Sequence, residues 1–197
     1  MKQQVVLDRL LEEGNGYLQT ADALRNGVSK QTLARYVLSH GMERVRHGVY
    51  AVEDAWQDAY YLLYLRNRRI VFSHESALYL HGMTDREPAI TTVTVPEGYN
   101  SSHIAKQHVK VIHVTSKWYD LGITMVRTAA EHEVPVYDRE RTLCDIIRNK
   151  EKTEIQIFQT AVREYMDGKE KNLGNLMRYA MELGIEDKVR TYTEVML

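Results

Sequence analysis

The stretch of sequence that decides the fold covers residues 29–52 and reads SKQTLARYVLSHGMERVRHGVYAV. Ser29 can cap a helix that extends to about His40, and Gly41 can end that helix. A β-hairpin about His47-Gly48 is predicted next, because glycine adopts the positive φ that a two-residue turn requires. The stretch therefore predicts a helix followed directly by a hairpin.

Two further helices are predicted before this stretch. Residues 3–13 carry apolar side chains at helical spacing, and Gly14-Asn15-Gly16 can end that helix. Thr20 is predicted to cap a short helix over residues 21–25, with Leu24 facing the core. The turn Asn26-Gly27-Val28 then leads to the helix capped by Ser29. Two short helices joined by a three-residue turn predict a helix-turn-helix, and the hairpin makes it a winged helix-turn-helix.

The helical period divides the side chains of the third helix into two faces. Its core face is predicted to hold Leu33, Tyr36 and Val37. Its outward face is polar, with Gln31, Thr32, Arg35 and Ser39. If Arg46 lies opposite Val49 in the hairpin, Val45 and Tyr50 face the core, whereas Arg44 and Arg46 point away from it.

Positive charge is concentrated in the same region of a chain whose formal net charge is only −1. Residues 25–48 contain five Lys and Arg residues and one acid, Glu43. Such local clustering attracts a polyanion, because distant charges are screened at physiological salt. We therefore predict that this face binds DNA, the alternative being a helix-turn-helix that contacts protein. The predicted contacts are Ser29, Lys30, Gln31, Thr32 and Arg35 on the helix, with Arg44, Arg46 and His47 on the hairpin.

The remainder of the chain predicts a second domain of class α+β. We place the boundary so that residues 1–53 form the winged helix and residues 54–197 the second domain. The second domain is expected to have a small, mostly antiparallel sheet with strands over 90–95, 109–114 and 123–127, and residues 70–72 form a short apolar segment before it. Residues 134–137 contain Pro135 and are predicted to form an edge strand. Helices are predicted over 56–66, 155–166 and 173–183, and a last helix is predicted to extend to about residue 195. Two more helices are predicted to begin after Ser73 and Asp138, which can cap them.

Several classes of protein are not indicated. The chain has no apolar run long enough to span a membrane and no secretory signal pattern, so we expect a cytoplasmic location. Cys144 lies among apolar residues and is interpreted as a core residue. We expect neither a metal nor a cofactor, because the histidines lack ligand spacing and no phosphate-binding loop is present. Asp138, Glu140 and Asp145 are the carboxylates that a nuclease could use, but Asp138 is explained as a cap, and we predict no enzymatic activity.

The sequence resembles the type IV antitoxin family of bacterial abortive-infection systems, the AbiEi-like antitoxins. The matching residues are spread over most of the chain. They are residues 17–24 and 32–37, ERVRHGVY at 43–50, SHESAL at 73–78, LHG at 80–82, and VYDRERTLCD at 136–145.

The resemblance implies a function for each half of the chain. The N-terminal winged helix would bind inverted repeats in its own promoter and repress transcription. The C-terminal domain would neutralise a nucleotidyltransferase-like toxin without forming a stable complex, as part of phage defence. Two alternatives remain open at this point: a plain transcription regulator with a sensory C-terminal domain, and a nuclease guided by its winged helix.

Overall fold

The computed structural model describes residues 2–53, 55, 58–105 and 108–193. The chain divides into two compact units. Unit 1 comprises Met1–Ala59 with Ala129–His132, and unit 2 comprises Tyr60–Thr128 with Glu133–Leu197. The short segment 129–132 thus belongs to unit 1, although it follows most of the strands of unit 2 in sequence.

Unit 1 contains three helices and a small sheet among its described residues. The helices are α1 (Lys2–Glu13), α2 (Thr20–Arg25) and α3 (Lys30–Ser39). The strands are β1 (Tyr17–Gln19), β2 (Glu43–Arg46) and β3 (Val49–Ala51), antiparallel in the order β1-β3-β2. The core beneath the helices is formed by Leu7, Leu18, Ala23, Val28, Leu33, Tyr36 and Met42.

The short helix α2 differs from its predicted form in two ways. It begins at Thr20 itself, and the residue in the cap position, Gln19, makes no side-chain capping bond. Ala23 is fully buried, whereas Leu24 is 39% exposed. Successive helical residues are rotated by about 100° from one another, so Leu24 turns outward once Ala23 faces the core.

The hairpin forms about His47-Gly48 as predicted, with Arg46 opposite Val49 and Gly48 at a φ of +72°. Of the two residues predicted to face the core, Tyr50 is half-buried against the core of unit 1, but Val45 is 38% exposed, while Val49 and Ala51 are buried. Glu43 pairs with Ala51 and Arg46 pairs with Val49, so a step of three residues along β2 corresponds to a step of only two along β3. This β-bulge breaks the alternation on which the prediction depended.

Unit 2 contains a five-stranded sheet with helices packed against it. Its strands are β4 (Val71–Phe72), β5 (Thr91–Pro96), β6 (Val109–Val114), β7 (Ile123–Arg127) and β8 (Glu133–Tyr137). The first helices are α4 (Ala59–Arg66), which begins in unit 1, α5 (His74–Leu80), α6 (Ser102–Ala105) and α7 (Ser116–Tyr119). They are followed by α8 (Arg139–Arg148), a 3₁₀ turn (Lys150–Lys152), α9 (Ile155–Asp167), α10 (Leu173–Glu182) and α11 (Glu186–Thr193). With its helices and mixed strands, the protein is of class α+β.

The sheet of unit 2 is mixed, which corrects the prediction of a mostly antiparallel one. Its order is β6-β5-β4-β8-β7, in which β5 pairs with β6 and β4 with β8 in parallel. Strand β8 lies between β4 and β7, so the prediction that it is an edge strand is wrong. Its neighbour β4 is only two residues long and pairs with it at Phe72 and Val136. Most backbone N–H groups of β8 on the side of β4 therefore have no strand partner to bond with, and Pro135, which lacks an N–H, is tolerated there.

The helix caps of unit 2 follow the sequence in one case and depart from it in another. Asp138 Oδ1 accepts a hydrogen bond from the backbone N–H of Arg141, as expected of the cap of α8. Ser73 occupies the cap position of α5 but makes no side-chain capping bond. Its hydroxyl instead accepts a hydrogen bond of 2.9 Å from Thr94 on β5. Two predicted helix ends, at residues 56 and 195, lie outside the described residues.

Cys144 is fully buried, which confirms its interpretation as a core residue. Burial also raises the pKa of its thiol well above the usual range. It packs with apolar residues of α8, α9 and α10 in the helical core of unit 2. Within the part of the chain that the structure describes, no helix has both the length and the apolar composition needed to cross a bilayer.

A buried ion pair on α8 connects several elements of unit 2. Arg141 is 1% exposed, and its Nε lies 3.2 Å from both carboxylate oxygens of Asp145. The guanidinium also donates to the backbone carbonyls of Trp118 and Leu121 and lies 4.2 Å from the centre of the Tyr137 ring. One buried cation therefore holds α7, the segment after it and the end of β8 against α8.

Removing the acid of this pair should destabilise unit 2 strongly. We expect Asp145→Ala to lower the free energy of unfolding by about 3–5 kcal/mol, because it leaves the Arg141 cation buried without a counter-ion. The measurement is urea unfolding followed by circular dichroism. Glu186→Ala is the matched control, since it breaks an exposed i, i+4 pair with Arg190 and should cost less than about 1 kcal/mol. Equal losses in the two variants would contradict the assignment.

Candidate nucleic-acid interface

The first turn of α3 separates the predicted contact residues into two kinds. The Oγ of Ser29 accepts the backbone N–H of Thr32 at 3.1 Å, and the two hydroxyl oxygens lie 2.9 Å apart. Ser29 therefore caps α3, as predicted, and its hydroxyl is already engaged with Thr32. Lys30, Gln31 and Arg35 are exposed and project from the first two turns. These three side chains are the ones positioned to reach a ligand.

Helix α1 holds α3 in place through polar contacts that sequence reasoning missed. The hydroxyl of Tyr36, on the buried side of α3, donates to Asp8 Oδ1 at 2.7 Å, and burial raises the pKa of that phenol. Gln3 donates through Nε2 to the carbonyl of Gly27 and accepts the backbone N–H of Ser29. Nothing in the sequence around Gln3 indicates that its side chain will bond with a turn more than 20 residues away.

A groove of about 530 Å³ runs between the start of α1 and the outward face of α3. Arg35 and Thr32 line it from α3, with Tyr36 and Ser39 further along. The α1 side consists of Lys2, Gln3 and Gln4. The groove thus adds donors and acceptors from α1 to the outward face of α3, next to Arg35. None of these α1 residues was among the predicted contacts.

The predicted contacts on the hairpin are gathered at its turn. Arg44 donates through Nε to the carbonyl of Arg46 at 3.2 Å and through Nη2 to Nδ1 of His47 at 2.7 Å. The acceptor role of Nδ1 assigns the ring proton of neutral His47 to Nε2. Arg46 is half-buried opposite Val49. The hairpin therefore presents an ordered Arg44 guanidinium beside an imidazole N–H.

The cations of this region differ in how far their charge is neutralised. Arg25 lies within the basic stretch but forms an ion pair with Asp22 on its own helix. Among the residues that the structure describes, Lys30, Arg35 and Arg44 form no ion pair with a carboxylate. These three cations keep their full charge for an external anion.

The three carboxylates that a nuclease could use all have structural partners. Asp138 caps α8 and accepts a hydrogen bond from the Tyr179 hydroxyl. Glu140 accepts bonds from the Tyr165 hydroxyl and the backbone N–H of Asn172. Asp145 is paired with Arg141. In the described ranges, no group of three or more His, Cys, Asp or Glu side chains is arranged to hold a metal ion.

No family model and no curated protein matches the chain. Among solved structures, the chain is similar to the crystal structure of the RV2827C protein from Mycobacterium tuberculosis. The TM-score is 0.54 with 15% sequence identity, and the match covers 93% of this chain and 75% of that chain. At this identity the similarity concerns the fold alone.

The cap of α3 can be tested by its effect on stability. We expect Ser29→Ala to lower the free energy of unfolding by about 1 kcal/mol, because it removes the acceptor of the Thr32 N–H. Ser39→Ala, at the other end of α3, is the control. Its hydroxyl donates to a carbonyl that already accepts the backbone N–H of His40, so its loss should matter less. Urea unfolding curves compare the two, and a larger loss for Ser39→Ala would rule out the capping role.

Proposed function

We propose that unit 1 is a winged helix that binds double-stranded DNA, with α3 as the recognition helix and the β2-β3 hairpin as the wing. The observation that carries the proposal is the set of exposed, unneutralised cations on α3 and on the hairpin that follows it. A recognition helix contacts bases from its first turns, and Lys30, Gln31 and Arg35 occupy those turns of α3. Lys and Arg donate to guanine, and Gln pairs with adenine.

The two groups of side chains are proposed to have different tasks. Lys30, Gln31 and Arg35 read base edges and decide which sequence is bound. Arg44, Arg46 and His47 contact phosphates and fix the register of the protein on the duplex. Ser29 and Thr32 orient the start of α3 through the capping bond between them.

We further propose that the protein represses its own promoter by binding inverted repeats there and acts as the antitoxin of a type IV system. This part rests on the resemblance to AbiEi-like antitoxins, which covers motifs in both units. Unit 2 would carry the neutralisation of a nucleotidyltransferase-like toxin without a stable complex. No enzymatic step is assigned to it, since Asp138 caps α8, Glu140 accepts from the Tyr165 hydroxyl and Asp145 is paired with Arg141.

Base reading can be separated from phosphate binding on the protein's own upstream DNA. We expect Lys30→Ala or Arg35→Ala to weaken specific binding by about 1–3 kcal/mol in gel-shift titrations and to leave binding to unrelated DNA nearly unchanged. Arg44→Ala should weaken both and lower the slope of log K against log salt by about 0.9.

Arg25→Ala is the matched control for these variants. It removes a cation of the same basic stretch whose charge Asp22 already neutralises, so specific affinity should be retained. If Lys30→Ala and Arg35→Ala both bind the specific site as tightly as the unmodified protein, the assignment of α3 as the recognition helix is wrong.

Antitoxin activity should survive the loss of DNA binding. We expect the full chain carrying Lys30→Ala and Arg35→Ala to restore growth when co-expressed with the toxin from an unrelated promoter. The same variant should fail to repress a reporter under the protein's own promoter. Growth counts and reporter activity are the two measurements. If even the unmodified chain fails to restore growth, the antitoxin proposal falls and the plain regulator stands.

A further inference from the structure

A cavity of about 370 Å³ lies in unit 2, where two of the sequence motifs quoted above come together. Its wall includes His74 and Glu75 from the SHES segment at the start of α5. Asp145 and Arg148 reach it from α8, and Lys110 reaches it from β6. None of these residues has a part in the proposed DNA interface. The volume is within the range of small-molecule sites in proteins.

The floor of the cavity is a fixed polar network around His74. His74 is 4% exposed, and its Nδ1 lies 3.2 Å from the Oγ of Ser73. The Nε2 accepts from the Asn149 side chain at 3.1 Å, which places the ring proton on Nδ1. Burial lowers the pKa of His74, so the ring is neutral near pH 7. The network holds a polar, uncharged surface in one position.

The backbone of His74 is strained. Its φ is +52°, in the left-handed region that residues other than glycine seldom adopt. Such a conformation persists only where surrounding contacts enforce it, and it concentrates at functional sites. Here the enforcing contacts are the two ring hydrogen bonds, to Ser73 and Asn149. These two contacts fix the His74 ring at the floor of the cavity.

The rim of the cavity is cationic. Lys110, Arg148 and Lys152 are exposed, and none forms an ion pair with a carboxylate within the ranges that the structure describes. The Arg148 guanidinium lies over the Trp118 ring at 4.4 Å, which orders it without using its N–H donors. Glu75 is the acid at this rim that is not already paired, since Asp145 is neutralised by Arg141.

A second, largely apolar cavity of about 260 Å³ adjoins the first, because Glu75 and Lys110 line both. Its other walls include Leu78, Ile90 and Ile157. Ile90 is 54% exposed, so its side chain is accessible to a ligand in this cavity. The two cavities together form a cleft with a cationic end and an apolar end.

We propose that this cleft binds a small organic phosphate, with the phosphoryl group among Lys110, Arg148 and Lys152 and the organic part against Ile90 and Ile157. A phosphoryl group carries close to two negative charges and three acceptor oxygens at neutral pH, which matches three cations opposed by one acid. Arg148 supplies the planar donor pair, and the lysines supply point charges. The proposal does not depend on DNA binding by unit 1.

The experiment uses isothermal titration calorimetry of the full chain with three probes: phenyl phosphate, inorganic phosphate and phenol. We expect saturable binding of phenyl phosphate, weaker binding of inorganic phosphate and none of phenol. Arg148→Ala and Lys152→Ala should each raise the Kd for phenyl phosphate about tenfold or more, because each removes a charge-assisted contact. Ile90→Ser should reduce the preference for phenyl phosphate over inorganic phosphate.

Two controls separate this site from other cations of the protein. Lys169→Ala removes an exposed lysine outside the cleft and should leave the Kd unchanged. Arg35→Ala should also leave it unchanged, which distinguishes the cleft from the DNA interface. Thermal melting of each variant checks that it is folded. The proposal is overturned if neither phosphate probe binds saturably, or if Arg148→Ala and Lys152→Ala bind as the unmodified chain does.

Discussion

A guanidinium removed from water organises unit 2. Arg141 is almost fully buried, and its charge is offset by Asp145 one helical turn away. Its Nη1 donates to the backbone carbonyls of Trp118, within α7, and Leu121, just after it. The backbone at Gly122 lies close against Arg141, and a Cβ at Gly122 would be 2.8 Å from the Cβ of Arg141. Glycine at that position is thus a steric requirement of the buried cation.

This arrangement also determines what the cleft can present to a ligand. Arg141 donates to the backbone carbonyl of Trp118, and the guanidinium of Arg148 lies over the Trp118 ring at the rim of the cavity. Asp145 is paired with Arg141, so it does not cancel the cations at the rim. In unit 1, the corresponding organising contact is a hydrogen bond without a buried cation: the Tyr36 hydroxyl on α3 donates to Asp8 on α1.

The sequence predicted the structure correctly where a residue bonds with, or shapes, the backbone next to it in the chain. Ser29 and Asp138 cap their helices as predicted, and the turn at Gly48 sets the predicted pairing of Arg46 with Val49. Prediction failed where a neighbour in space decides the outcome. Ser73 bonds with Thr94 instead of its own helix, and the β-bulge exposes Val45. The groove residues of α1 and the convergence of His74 with Arg148 depend on tertiary packing, which no spacing in the sequence records.

The segment 129–132 has a consequence for how this protein can be divided. His132, in that segment, bonds through Nδ1 with the Asp58 carboxylate at 2.9 Å and through Nε2 to the carbonyl of Gly14, and both side chains are 3% exposed. Unit 1 is therefore completed by residues encoded more than 70 positions after its main part. A fragment ending near residue 59 would keep Asp58 but lose its buried partner. A gene divided at that point would therefore encode an incomplete unit 1, with Asp58 separated from the histidine that bonds with it.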